Sequence, residues 1–162
     1  MSEGLVTRPG IRVALPGGRP LLFRGLVLDF NGTLATDGTL LPTVARRLGV
    51  LAGFLEITVL TADTFGTAEA SLRDLPVTVR TVRTGRDKQK LVQAKGRGAI
   101  VAIGNGRNDV AMLRHAALGV AVLGTEGLAP ELCRHADVIV ARIEDALDLL
   151  LNPTRLTATL RR

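Results

Sequence analysis

Three apolar segments of this chain each stop abruptly at polar side chains that could do chemistry. Each segment is short and almost wholly apolar, as a buried strand is. Because the carboxyl ends of parallel strands share one edge of a sheet, the polar groups that follow these strands are expected to converge in one crevice. The pairs that follow the three segments are Asp29 with Asn31, Thr61 with Asp63, and Asn105 with Asp109.

These residue types form a set suited to phosphoryl chemistry. Asp29 and Asp109 could hold a hard cation such as Mg²⁺, which prefers oxygen ligands and keeps several waters. Lys88, near a predicted helix start, could supply the fixed positive charge that a transferring phosphoryl group needs. A carboxylate, a hydroxyl, a lysine and a metal-binding acid are the parts required for aspartyl-phosphate chemistry. Backbone amides that could approach phosphate oxygens lie at Gly32, Thr33, Gly104 and Gly106.

The elements that must position these groups alternate between strand and helix. An N-terminal hairpin is expected over residues 11–28, with its turn at Pro16-Gly17-Gly18-Arg19. The further strands are predicted at 55–60, 77–82, 99–103, 119–123 and 138–140, and the helices at 44–52, 64–72, 86–95, 108–117, 128–135 and 143–151. This alternation predicts a three-layer α/β/α Rossmann-like fold with a mainly parallel sheet. We expect one domain over residues 1–162, with residues 1–25 as a hairpin extension.

Composition narrows the class of protein further. Hydrophobic residues make up 46% of the 162 residues and aromatic residues only 2%, so the core must be aliphatic. The net charge of +6 favours anionic partners, including phosphorylated molecules. The basic residues are scattered and have no stacking aromatics among them, which makes a nucleic-acid partner unlikely on chemical grounds.

The chain carries no sign of a membrane segment or a disulfide. No apolar run approaches the about 18 residues that a membrane helix needs, and the N-terminus has no apolar core of a signal peptide. A cytoplasmic protein without a membrane partner is therefore expected. Cys133 is the one cysteine, which excludes an intrachain disulfide and a cysteine zinc site. Free cysteines are usually buried, and Cys133 is expected to be buried in a helix.

The motifs resemble those of the haloacid dehalogenase-like (HAD) superfamily of phosphohydrolases. Asp29-Phe-Asn-Gly-Thr-Leu34 resembles its first motif, Val59-Leu-Thr61 its second, and Lys88 its lysine motif, although Lys90 could take that place. Gly104-Asn-Gly-Arg-Asn-Asp109-Val-Ala-Met-Leu113 resembles its fourth motif. The likeness is greatest to small members described as soluble P-type ATPase-like.

The resemblance implies a magnesium-dependent hydrolase in which Asp29 is the nucleophile that becomes an aspartyl-phosphate. By the same resemblance, the phosphoryl group would be bound by Gly32, Thr33, Thr61, Ala62 and Lys88. The ligands of Mg²⁺ would be Asp29, the Asn31 carbonyl, Asn105 and Asp109.

Two positions depart from the family pattern. Asn31 stands where typical phosphatases of the superfamily have a second aspartate, which protonates the leaving group and later activates water. Loss of such general acid–base help typically costs about 10²–10⁴-fold in rate. Asn105 stands where the family usually has a metal-binding aspartate, so the site loses a negative charge. These departures leave slow hydrolysis, phosphoryl transfer and ligand binding without turnover all open.

The spacing of the motifs leaves no room for a cap domain. Only a small flap, at about residues 35–41, is available, so the resemblance is to the capless group, whose sites are open or covered by a neighbouring subunit. The N-terminal hairpin is either a contact of a homo-oligomer or a simple edge hairpin. Three rival functions remain: a phosphate-binding regulatory protein, a dehalogenase, and a structural subunit of a complex.

Overall fold

The computed structural model of the chain describes residues 7–63 and 66–161. The strands are β1 (Ile11–Val13), β2 (Leu21–Phe23), β3 (Gly25–Asp29), β4 (Ala35–Thr36), β5 (Thr39–Leu40), β6 (Glu56–Thr61), β7 (Thr78–Thr81), β8 (Ile100–Gly104), β9 (Leu118–Val122) and β10 (Val138–Val140). The helices are α1 (Val44–Leu51), α2 (Thr67–Leu72), α3 (Gly85–Ala94), α4 (Val110–His115), α5 (Ile143–Leu151) and α6 (Pro153–Leu160). Within the described ranges, none of these helices is long and apolar enough to cross a membrane.

The main sheet places the ends of β3 and β8 side by side. Over the residues described, it has six strands in the order β10-β9-β8-β3-β6-β7, and every neighbouring pair is parallel. The chain leaves β3 towards β6 and β7 and then returns to β8 on the other side, so the strand order reverses between β3 and β8. Ligand crevices of open α/β sheets lie at the carboxyl ends of the strands at such a reversal. The predicted Rossmann-like fold is confirmed.

Helices cover both faces of this sheet, which explains why its central strands are apolar throughout. Leu26 and Leu28 of β3 face one layer, formed by α1, α2, α5 and α6, and Val27 faces the other, formed by α3 and α4. All five residues of β3 are buried. A strand that is buried on both faces loses the alternation of polar and apolar residues that a half-exposed strand shows.

The N-terminal hairpin forms as predicted and belongs to the core of one face. β1 and β2 pair in antiparallel register. Ile11, Val13 and Phe23 are buried together with α1 and α6, whereas Leu22 is 41% exposed. β2 ends at Phe23, and only Arg24 separates it from the start of β3. The hairpin therefore anchors the start of the strand that carries Asp29, and a role in a homo-oligomer stays a prediction.

A short flap is the one insertion between Asp29 and α1. β4 and β5 pair as a two-stranded hairpin, and Asp37 at its tip has a positive φ of 51°. The flap contacts the loop that follows β9, since the hydroxyl groups of Thr36 and Thr125 are 2.9 Å apart. A cavity of about 330 Å³ lies between these two segments and the start of α5. The predicted capless architecture is confirmed for the residues described.

Two expectations from the sequence are wrong around residues 128–135. The segment predicted as a helix at 128–135 is a 3₁₀ turn over Pro130–Arg134. The Leu132 N–H donates to the Ala129 carbonyl, at 3.0 Å, which is the i to i+3 bond of a 3₁₀ turn. The Ala129 N–H donates to the Asn105 carbonyl, at 2.9 Å, and ties the preceding loop to the residues that follow β8. Leu132 takes the buried position of this short turn, which leaves Cys133 exposed. The first residues of the helix predicted at 64–72 lie outside the described residues.

Replacing Leu28 by Ala should destabilise the protein strongly. The Leu28 side chain is fully buried in β3, and removing a buried leucine side chain leaves a cavity that costs about 2–5 kcal/mol. Leu22→Ala removes the same atoms from a side chain that is 41% exposed, and should cost about 0.5 kcal/mol or less. Urea unfolding of both variants tests this, and equal losses of stability would contradict the assigned core.

Candidate active site

A buried ammonium group joins the ends of two neighbouring strands. Lys88 is 2% exposed, and its Nζ donates to Asp29 Oδ1 and to Asp109 Oδ1, both at 2.6 Å. These residues are 59 and 21 positions from Lys88 along the chain. Lys90 is exposed, so Lys88 is the lysine that reaches the carboxyl edge of the sheet.

The start of α3 holds Lys88 in this position. The Thr84 hydroxyl accepts from the Asp87 N–H, and the Asp87 carboxylate accepts from the Thr84 N–H, so the helix begins with a capping box. Lys88 lies in the first turn after this cap. A Cβ at Gly85 would lie 2.6 Å from the carbonyl oxygen of Asn108. The absence of a side chain at Gly85 thus lets α3 approach the turn that carries Asp109.

Asp109 braces the loop after β8 and is fully buried. Its Oδ2 accepts from the backbone N–H groups of Asn105, at 3.0 Å, and Gly106, at 2.9 Å, while Oδ1 accepts from Lys88. A Cβ at Gly104 would lie 2.5 Å from the Asp109 carboxylate. Both oxygens of Asp109 are thus engaged by the chain itself, which gives this residue a positioning role that its sequence motif does not reveal.

The three charges of Asp29, Lys88 and Asp109 add up to one buried negative charge. Burial and, next in size, the negative charge of Asp109 together raise the pKa of Asp29 to about 7, although Lys88 opposes both effects. Burial alone would lower the pKa of Lys88, but the attraction of Asp109 and Asp29 outweighs it and the pKa is raised. The cluster therefore favours an additional positive charge beside Asp29.

Asn105 links three loops at the same edge. Its Oδ1 accepts from the Thr33 hydroxyl, and its Nδ2 donates to the Gly127 carbonyl oxygen, both at 3.1 Å. These partners assign the orientation of the amide. Gly32 has a φ of 76°, and a Cβ there would lie 2.9 Å from Asn105 Oδ1. The Asn105 amide thus lies directly over the turn that follows β3.

The other predicted site residues lie at this edge with different surroundings. Thr61 is buried at the end of β6, and its hydroxyl accepts from the Asp63 N–H at 3.0 Å. Ala62 and Asn31 are exposed. Asp63 caps α2, because its Oδ2 accepts from the N–H groups of Thr67 and Ala68.

The oxygen atoms at this site are of the types that bind a hard cation, although few of them belong to carboxylates. The Asp29 carboxylate, the Asn31 carbonyl and Asn105 Oδ1 are the oxygen types that Mg²⁺ prefers. No group of three His, Cys, Asp or Glu side chains gathers into a cation site in the part of the chain that is described. The site fits Mg²⁺ in chemical type but offers fewer carboxylates than the sequence motif of the family would.

Glu126 is a neighbour of the site that the sequence motifs do not indicate. Its Oε2 lies 2.7 Å from the position that a Cβ of Gly32 would take. Glu126 follows β9, and this position just beyond the carboxyl end of a strand is the signal by which the sequence could have indicated that it lies near the site.

Comparison with known proteins places this chain among hydrolases. A family model described as haloacid dehalogenase-like hydrolase matches residues 91–145. An uncharacterised protein of Methanocaldococcus jannaschii is 52% identical over 62 residues, which are 38% of this chain and 67% of that protein. A phospholipid-transporting ATPase of Saccharomyces cerevisiae is 39% identical over 62 residues, which are 38% of this chain and only 4% of that protein.

The solved structures show the same fold. The 3-deoxy-D-manno-octulosonate 8-phosphate phosphatase of Moraxella catarrhalis superposes with a TM-score of 0.70 at 13% identity, over 84% of this chain and 90% of that one. That structure holds a magnesium ion and a phosphate ion. The chain belongs to the haloacid dehalogenase-like hydrolases, so the predicted family and its hydrolase class are confirmed.

Replacing Lys88 by Met should destabilise the protein by about 3–5 kcal/mol, because two buried carboxylates lose their shared cation. Lys90→Met, on the exposed side of the same helix, should change the free energy of unfolding little. Urea unfolding without added metal measures both values. If Lys88→Met were as stable as Lys90→Met, the buried ion cluster would be excluded.

Proposed function

We propose that this protein is a magnesium-dependent phosphohydrolase or phosphotransferase that acts through an aspartyl-phosphate at Asp29. The observation that carries the proposal is the Lys88 ammonium group, held 2.6 Å from the Asp29 carboxylate at the carboxyl end of β3. A fixed cation beside a carboxylate nucleophile can stabilise the negative charge of a phosphoryl group as it is transferred.

In the first step, an Asp29 carboxylate oxygen attacks the phosphorus of a phosphate ester or anhydride. The bond from Asp29 to phosphorus forms, and the bond to the leaving oxygen breaks. Lys88, the Thr61 hydroxyl and the backbone N–H of Ala62 bind the phosphoryl oxygens. The backbone N–H groups of Gly32 and Thr33, predicted for the same role, already donate to the carbonyl oxygens of Ala35 and Phe30. Asn31 has no acidic proton to donate, so the leaving group departs as an anion or takes a proton from water.

In the second step, water attacks the phosphorus and the Asp29 carboxylate leaves. The attacking water must lose a proton to bulk water, because the Asn31 amide cannot accept it. Hydrolysis of the aspartyl-phosphate is therefore the slower step, and an acceptor with a more nucleophilic oxygen competes with water. Slow hydrolysis and phosphoryl transfer are therefore two outcomes of the same phosphorylated Asp29.

Mg²⁺ fits the oxygen atoms available, and when bound it neutralises charge on the transferred phosphoryl group. Asp29, the Asn31 carbonyl and Asn105 Oδ1 would hold it. Asp109 would complete this set, and it also keeps Lys88 and the loop after β8 in place. The local identity to a phospholipid-transporting ATPase supports the likeness to soluble P-type ATPase-like proteins. The substrate is a phosphorylated molecule.

A second candidate function is a phosphate-binding regulatory protein without turnover. It is favoured by the amides at positions 31 and 105, which both replace carboxylates of the family pattern. Such a protein would bind a phosphorylated ligand tightly and release no product from it.

Magnesium-dependent hydrolysis of p-nitrophenyl phosphate tests the enzymatic proposal. The native protein should release phosphate above the level of Asp29→Asn, which removes the nucleophile. Asn31→Asp should raise the rate by about 10²–10⁴-fold, because it restores an acid and base beside the reacting phosphate. A native rate equal to that of Asp29→Asn, with a fast Asn31→Asp variant, would favour the regulatory function. Equal rates in all three would contradict the assigned site.

The native protein should also depend strongly on the quality of the leaving group. Without an acid at position 31, acetyl phosphate and aryl phosphates should phosphorylate Asp29 far faster than alkyl phosphates do. Acid quenching followed by mass spectrometry should reveal one added phosphoryl group on the peptide that contains Asp29. Asn31→Asp should reduce both the leaving-group dependence and the phosphoenzyme level. An unlabelled Asp29 peptide with every substrate would rule out the covalent route.

A further inference from the structure

The loop that follows β9 holds a carboxylate over the active-site turn. Three atoms lie close to the position that a Cβ on Gly32 would take: Asn105 Nδ2, which is the nearest, Glu126 Oε2 at 2.7 Å and Asn105 Oδ1 at 2.9 Å. The other oxygen of Glu126, Oε1, accepts weakly from the backbone N–H of Asp37 in the flap, at 3.4 Å. The Glu126 carboxylate therefore lies between the flap, the Gly32 turn and the Asn105 amide.

Backbone contacts on both sides of Glu126 keep the loop in this place. A Cβ on Gly124, which has a φ of 57°, would lie 3.3 Å from the Gly32 carbonyl oxygen. The Gly127 carbonyl accepts from Asn105 Nδ2 at 3.1 Å. Two positive-φ glycines thus enclose Glu126 and bring the loop against the two segments that supply oxygen ligands.

The local charge explains why a carboxylate at this place matters. Asn105 and Gly32 carry no charge, and Asp109 is occupied by Lys88 and by two backbone N–H groups. Asp29 and Asp109 are then the carboxylates among the proposed ligands, and Lys88 offsets one of their two charges. Affinity of an oxygen site for a divalent cation rises with the number of charged ligands, so a further carboxylate next to Asn105 would strengthen the site.

We propose that Glu126 supplies the carboxylate that position 105 lacks and binds the active-site divalent cation, directly or through a water. The inference rests on the proposed dependence on Mg²⁺. Glu126 then belongs to the metal site. The flap orients its carboxylate, since the Asp37 N–H donates to Glu126 Oε1.

Metal affinity, measured without substrate, tests this assignment. Mg²⁺ binding is followed by calorimetry and Mn²⁺ binding by electron paramagnetic resonance, for the native protein and for Glu126→Gln. The matched control is Glu56→Gln, which removes the same charge at the amino end of β6, on the opposite edge of the sheet. We expect Glu126→Gln to weaken binding by about 10-fold or more and Glu56→Gln to leave it unchanged.

A second substitution separates charge from packing. Asn105→Asp in the Glu126→Gln background should return the affinity close to the native value, because it restores one carboxylate at the same place. Equal affinities of Glu126→Gln, Glu56→Gln and the native protein would overturn the inference while leaving the proposed function intact. A native protein that binds neither Mg²⁺ nor Mn²⁺ would instead contradict the magnesium dependence itself.

Discussion

The contact on which the rest of the site depends is the Lys88 ammonium group shared by Asp29 and Asp109. It ties the end of β3 to the loop after β8 through a residue of α3, across the place where the strand order reverses. Burying three charged groups is costly unless each is paired. The capped start of α3 and the backbone N–H groups that bind Asp109 supply the geometry that makes the pairing possible.

The charges of this cluster do not cancel, because two carboxylates share one ammonium group. Burial, together with this remaining negative charge, raises the pKa of Asp29 to about 7. A bound cation beside Asp29 would relieve this charge and keep the carboxylate ionised, as the proposed nucleophile must be. The buried negative charge thus lowers the stability of the metal-free protein and also attracts a metal ion. Stability and function are commonly opposed in this way at active sites.

Four loops meet at this edge, and their mutual contacts allow one position to compensate for another. The amide of Asn105 satisfies the Thr33 hydroxyl and the Gly127 carbonyl, which an aspartate could not do without losing the second bond. An asparagine is therefore well matched to this arrangement in hydrogen bonding, although it brings no charge. Glu126 lies where a charge can be added without disturbing those bonds.

The order of strands and helices, the family and the residues Asp29, Asn31 and Thr61 could all be predicted from the sequence. Apolar strands that end in polar residues and alternate with helices carry that information locally, and only the segment around Cys133 was assigned wrongly. Tertiary structure alone decided between Lys88 and Lys90, showed that Asp109 braces a loop, and brought Glu126 to the Gly32 turn. The physical reason is that the burial of a side chain and its hydrogen-bond partners depend on which side of α3 faces the sheet and on how separate loops pack. The spacing of neighbouring residues in the sequence determines neither.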